Sequence, residues 1–230
     1  MKVVSGINFA EPIKKSGGET MFVLVLLFSS VASLKPYTYE FDKGGLSFEN
    51  VGDYQRVLLK GTYSITQPGY PSLPKIVKSF VIPSNAQVDS IEIIDLKKEI
   101  LKGKYNVYPA QHPRPLSFDV EYPFQKDREI YSSAKEFPEA PVEVVSSGKK
   151  NGFNIVNIAI YPVGYNPSSG RLTFYSQITF RIKLKETSKN TISLFASRNL
   201  NEITNEIKSL VENPEDVSSF APDFSIQQSK

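Results

Sequence analysis

Nucleophilic catalysis needs a thiol or hydroxyl beside a base that can take its proton, and that base is most often histidine. The chain has no cysteine and a single histidine, His112. Thiolate nucleophiles, thiolate metal sites and disulfides are therefore excluded together. His112 lies in Pro109-Ala110-Gln111-His112-Pro113-Arg114-Pro115, a proline-rich connection without a serine nucleophile nearby, and reads as a surface-loop histidine. Asp95, Glu99, Asp119 and Glu121 are separated by turns and prolines, so the sequence pairs no two of them for acid–base work. No His/Asp/Glu spacing suits a metal and no glycine-rich phosphate loop is present, so no cofactor is expected. The net charge of +3 is small for 230 residues. Lysine and glutamate intermix along most segments, which argues against a nucleic-acid partner.

What the residues do specify is a β scaffold. From Tyr37 onward the apolar period is mostly two, with Tyr37, Tyr39 and Phe41 alternating against Thr38, Glu40 and Asp42. Gly44-Gly45 predicts a turn, and residues 46–48, 54–59 and 62–65 predict further strands. Gln67-Pro68-Gly69-Tyr70-Pro71-Ser72-Leu73-Pro74 is a stiff, turn-rich connection, because its prolines cannot donate to a ladder. Residues 75–82 and 87–101 follow as strands, and the slip in alternation at Ile93-Ile94 predicts a β-bulge. Residues 105–141 read as an extended, proline-rich excursion with a short helix or turn around 126–134.

The clearest alternation comes late. Residues 153–161 form a strand between Gly152 and Pro162, and 164–170 read as a loop. Ile178, Phe180, Ile182 and Leu184 then alternate with Thr179, Arg181, Lys183 and Lys185. A one-residue slip would put three charges into the core, so this register is strongly specified. Short strands with frequent turns predict an all-β fold, an antiparallel, jelly-roll-like β-sandwich. A short C-terminal helix follows: Leu200, Ile203, Ile207, Leu210 and Val211 share one face, and Asn213-Pro214 ends it.

The N-terminus has the character of an export address. Met21-Phe22-Val23-Leu24-Val25-Leu26-Leu27-Phe28 is too short to span a bilayer but suits the apolar core of a signal peptide. Lys14 and Lys15 would precede it as the positive region if translation starts at Met1, and would be lost if it starts at Met21. Small residues follow, with Ala32 or Ser33 expected as the last residue removed. The expected division is an N-terminal extension and signal over 1–33, the sandwich over 34–186, and a linker with the helix over 187–230. The mature product is expected to be secreted, periplasmic or at the cell surface, with no stable membrane span.

Four segments stand in order: Gly69-Tyr70-Pro71-Ser72-Leu73-Pro74, Phe80-Val81-Ile82-Pro83, Tyr108-Pro109-Ala110-Gln111, and Ile160-Tyr161-Pro162-Val163-Gly164-Tyr165-Asn166-Pro167 running into Gly170-Arg171-Leu172. This series resembles the propeptides of gingipain-type cysteine peptidases, family C25, over roughly residues 37–220. The resemblance implies a non-catalytic module that assists folding of a C25 peptidase domain and keeps it latent, the partner lying in cis or being encoded by an adjacent gene. The chain ends where that domain would be expected to begin. If the peptidase prefers basic residues, the resemblance implies an inserted Lys or Arg, and Arg128, Lys149 and Lys150 are the loop candidates. Lys189 and Arg198, in the polar stretch before the helix, are candidates for activation cleavage. The competing reading is a secreted carbohydrate- or protein-binding β-sandwich in which exposed tyrosines, for example Tyr161 and Tyr165, stack on sugar rings, although the chain has no tryptophan.

Overall fold

A computed structural model describes residues 33–113, 122–187 and 200–221. Ten strands, two α-helices and two single 3-10 turns are assigned among them. Strand β10 (Arg171–Glu186) organises one sheet. On one side it pairs antiparallel with β6 (Ala86–Ile100). On the other, β1 (Tyr37–Glu40) and β9 (Val163–Asn166) share its length end to end. The second sheet runs β4 (Tyr63–Ser64), β5 (Pro74–Ile82), β8 (Phe153–Ile160), β7 (Val142–Lys150), and β2 (Leu46–Val51) with β3 (Tyr54–Leu59) forms a separate antiparallel pair.

The alternation on β10 fixes how the sheets meet. Ile178, Phe180, Ile182 and Leu184 are all buried, in one cluster with Phe80 and Ile82 of β5 and with Val156, Ile158 and Ile160 of β8. Tyr37 and Phe80 bring their rings to 4.6 Å across the gap, and Phe80 meets Phe180 edge-on at 6.3 Å. The other face of β10 is polar: Lys183 and Arg181 both reach Glu92 of β6, at 3.2 and 3.6 Å. The bulge predicted at Ile93-Ile94 is present. Thr179 pairs with Asp95 and Phe180 with Ile93, leaving Ile94 outside the ladder and exposed.

Strand β8 is covered on both faces, as a near-continuous apolar run requires. Val156, Ile158 and Ile160 face the first sheet, while Phe153 and Ile155 pack under helix α2 (Leu200–Leu210). In its described part, the segment expected as a linker leading away lies against the sandwich, because Ile203, Ile207 and Val211 have an apolar face to cover. The stretch 164–170, expected as a loop, begins as β9. Its first residues complete a hairpin with β10, and the turn is confined to 167–170. A second cluster fills the end of the sandwich with Val57, Leu73, Val107, Tyr161, Tyr165 and Phe174 among others.

Two measurements check this core. Phe180→Ala is expected to cost about 3–5 kcal/mol, whereas Ile94→Ala should stay within about 0.5 kcal/mol; urea unfolding of both variants separates the two positions. Burial raises the phenol pKa of Tyr37, Tyr39, Tyr131, Tyr161, Tyr165 and Tyr175, with Tyr175, also beside Glu136, pushed up to about 12. The folded chain thus holds phenolic protons that the unfolded chain releases near pH 10. That contribution is fully present below about pH 10 and is lost as pH rises through the folded values. Stability should fall from about pH 10 upward, and phenolate absorbance from these six rings should appear together with loss of the fold.

Candidate docking surface

The end of the sandwich around Tyr165 anchors the proline-rich excursion. Residues 106–108 run parallel to the start of β3: Gln55 accepts from and donates to this segment through Tyr108 N–H and Asn106 C=O, each at 2.8 Å. The Gln111 side chain then closes a second contact, donating to Gln125 C=O at 2.7 Å and accepting from Gln125 N–H at 2.8 Å. Helix α1 (Arg128–Ser132) starts at Asp127, whose carboxylate accepts from Ile130 N–H at 3.0 Å. Asp127 N–H in turn donates to Gly69 C=O at 3.0 Å. Gly69 has φ +86, and a Cβ there would stand 3.3 Å from that same nitrogen, so glycine is required on both counts. Tyr131 fastens the helix from below by donating to Val107 C=O at 2.8 Å.

These ties assemble aromatic rings from three distant segments. Tyr54, Tyr108 and Phe124 contact one another pairwise, with centroids 5.6–6.2 Å apart. Cations sit over them: Arg56 lies 4.8 Å from the Tyr108 ring, and Lys126 lies 5.1 Å from Tyr54 and 4.5 Å from Tyr131. Phe124 is 55% exposed, and Tyr122, whose ring is 5.0 Å from His112, is 42% exposed. An exposed Phe124 backed by the half-buried rings of Tyr54 and Tyr108, with cations over them, has the composition of a protein-recognition hot spot.

The candidates from the sequence are divided by this geometry. Arg128 is exposed at the first position of α1, two residues after Lys126, whose ammonium lies over the Tyr54 ring. Lys149 and Lys150 are not on a loop tip. They pair with Asn154 and Phe153 in the β7–β8 ladder, and the turn is Asn151-Gly152 alone, both at positive φ. Lys150 is moreover engaged with Glu206 at 2.9 Å. The length of β8, about 26 Å at strand rise, separates this turn from the end of the sandwich near Tyr165. The three basic residues do not form one site.

Tyr161 and Tyr165 are buried, at 5% and 2% exposure, so neither is available to stack on a sugar ring. Tyr161 donates to Glu143 and Tyr165 to Tyr105 C=O. His112 is exposed, as expected of a loop histidine. Glu99 pairs with Lys43 at 2.9 Å and Asp95 accepts from Gln177 at 3.3 Å, so both are held in surface polar contacts. Asp119, Glu121, Ala32, Lys189 and Arg198 lie outside the described residues. Ser33 is bridged to Lys183, and Leu34, donating to Ile182 C=O at 3.0 Å, is a buried residue of the main cluster. Among the described residues, no helix is long and apolar enough to cross a membrane.

Two solved structures share this fold. The complex of the Porphyromonas gingivalis RgpB pro- and mature domains contains a chain that superposes with TM-score 0.63 at 20% identity, covering 81% of this chain and 97% of that one. A structure addressing the zymogenic latency of gingipain K from Porphyromonas gingivalis gives TM-score 0.53 at 17% identity, covering 66% of this chain and 87% of that one. No curated protein matches the sequence. The Propeptide_C25 family profile matches residues 25–211. With that match running through both sheets and to the end of α2, the chain belongs to the Propeptide_C25 family, the propeptides of C25 gingipain-type peptidases.

Proposed function

We propose that the chain is the latency and folding-assistance module of a C25 cysteine peptidase, exported by its N-terminal segment and non-catalytic in itself. The observation that carries this reading is the family match over residues 25–211. The peptidase domain, in cis or from an adjacent gene, is the partner. Docking needs no chemistry from the module. A standard interface buries about 1,600 Å², and nanomolar binding corresponds to about −12 kcal/mol.

The face carrying Tyr54, Tyr108 and Phe124 is the part of the surface best suited to that contact. The segments that carry its rings and cations are already tied together by hydrogen bonds, so little backbone freedom is lost on docking. Arg128, exposed at the start of α1 close in sequence to Phe124 and Lys126, is the preferred residue for entry into a basic-specific pocket. Lys150 would first have to leave Glu206, and Lys149 stands at the other end of β8. Lys189 and Arg198 remain the proposed activation sites. Export ends with cleavage after Ala32 or Ser33, which leaves Leu34 in its buried seat and places the product in the periplasm, at the cell surface or outside.

Two experiments test this. Added to a C25 catalytic domain, the chain should inhibit tightly, and Phe124→Ala or Tyr108→Ala should weaken inhibition by about 10- to 30-fold. Arg128→Ala should cost at least about tenfold against a basic-specific peptidase, with Lys149→Ala and Lys150→Ala within about twofold. Failure to bind any C25 domain sinks the latency reading, and an unaffected Arg128→Ala variant removes that residue from it. Mass spectrometry of the exported protein should find an N-terminus at Ser33 or Leu34; retention of residues 21–28 would rule out the signal.

A further inference from the structure

The segment after β10 is held by a seat of its own. Helix α2 turns Ile203 and Ile207 onto Val81 of β5 and Phe153 of β8, and Val211 and Val217 continue the same cluster. The chain then finishes the free edge of β5. Strand β4 reaches only Lys75 and Pro74, and among the described residues no strand pairs with the later residues of β5 on that side. Glu212 N–H donates to Ser79 C=O at 2.9 Å. Asn213, with no exposed surface, replaces a strand with its side chain: its Oδ1 accepts from Val81 N–H and its Nδ2 donates to Val81 C=O, both at 2.9 Å. The same amide donates to Asp216 at 2.9 Å, so its two functional ends are both used.

Charge follows the same line. Glu206, Glu212 and Glu215 meet Lys150, Lys78 and Lys35, contributed by β7, by β5 and by the residues before β1. Each pair is exposed and contributes little alone, but together they set the position of the segment along the groove. The apolar stripe and the buried Asn213 supply the holding force, combining helix-in-groove with β-edge recognition.

We propose that residues 200–220 are a ligand of the sandwich, an amphipathic helix followed by an Asn-Pro edge plug. They are retained by their own contacts and stay seated when the chain is cut between β10 and α2. Resting on the latency reading above, this makes cleavage at Lys189 or Arg198 distinct from release. Anything continuing past Phe220 would stay bound to the sandwich until the seat opens.

The test uses the full chain with one protease recognition site placed within residues 188–199 and cut after folding. The two pieces should co-elute in gel filtration at about micromolar concentration. In the cut chain, Asn213→Ala should raise the dissociation constant at least about tenfold, and Ile207→Ala, acting through the apolar half, by about thirtyfold or more. Circular dichroism of each uncut variant confirms that the sandwich itself is folded. Separation of the unmodified pieces overturns the proposal, as does an Asn213→Ala variant that binds no more weakly. No peptidase is present, so failure of the latency assay leaves this result standing.

Discussion

Everything in the fold hangs on the register of β10. Its four alternate side chains from Ile178 to Leu184 supply one wall of the main core, and its backbone carries β6, β1 and β9 at once. A slip of one position would bury Arg181 and Lys183 and expose Phe180, which no compensating contact in the molecule could offset. The register also locates the far cluster, because Leu172 and Phe174 lie on the same strand and place Tyr165 and Val163 through β9. The anchoring of the candidate docking surface therefore traces back to one alternating sequence.

From Tyr165 the constraint passes outward through polar contacts. Phe137 and Tyr165 exchange backbone hydrogen bonds at 2.7 and 2.8 Å, and Tyr131 is tied to Val107. The proline-rich excursion is thus fixed at several points and presents its aromatic rings from a stiff base. Such an arrangement would suit the proposed docking role, because rigidity before contact lowers the cost of binding.

Much of this was legible in the sequence because it is local. Residues 54–59 were readable as a strand, Ile93-Ile94 as a bulge, and the helical spacing of Ile203 and Ile207 as a buried face, since each depends on neighbours a few positions away. Lys149 and Lys150 read as loop residues because Gly148 and Asn151-Gly152 flank them. The type of turn that Asn151-Gly152 adopts takes only those two residues and leaves both lysines in the ladder. Tyr165 gave no sign of burial, for it sits in a turn-like run of Pro, Gly and Asn, and Tyr161 stands at the very end of its strand, against Pro162. The aromatic surface was invisible for a different reason. Tyr54, Tyr108 and Phe124 are brought together by pairing between residues some fifty positions apart, and no periodicity records that.

The pairing of β1 with β10 sets an order in time as well as in space. Thr38 and Thr179, whose hydroxyls meet at 2.9 Å, are 141 residues apart along the chain. A chain delivered from its N-terminus has no partner for β1, and none for β6 within that sheet, until β10 arrives. Long-range pairing of this kind is slow to form. Strands β1 and β6 wait unpaired in this sheet while β2 and β3 can already pair, so its closure depends on the arrival of a single late strand.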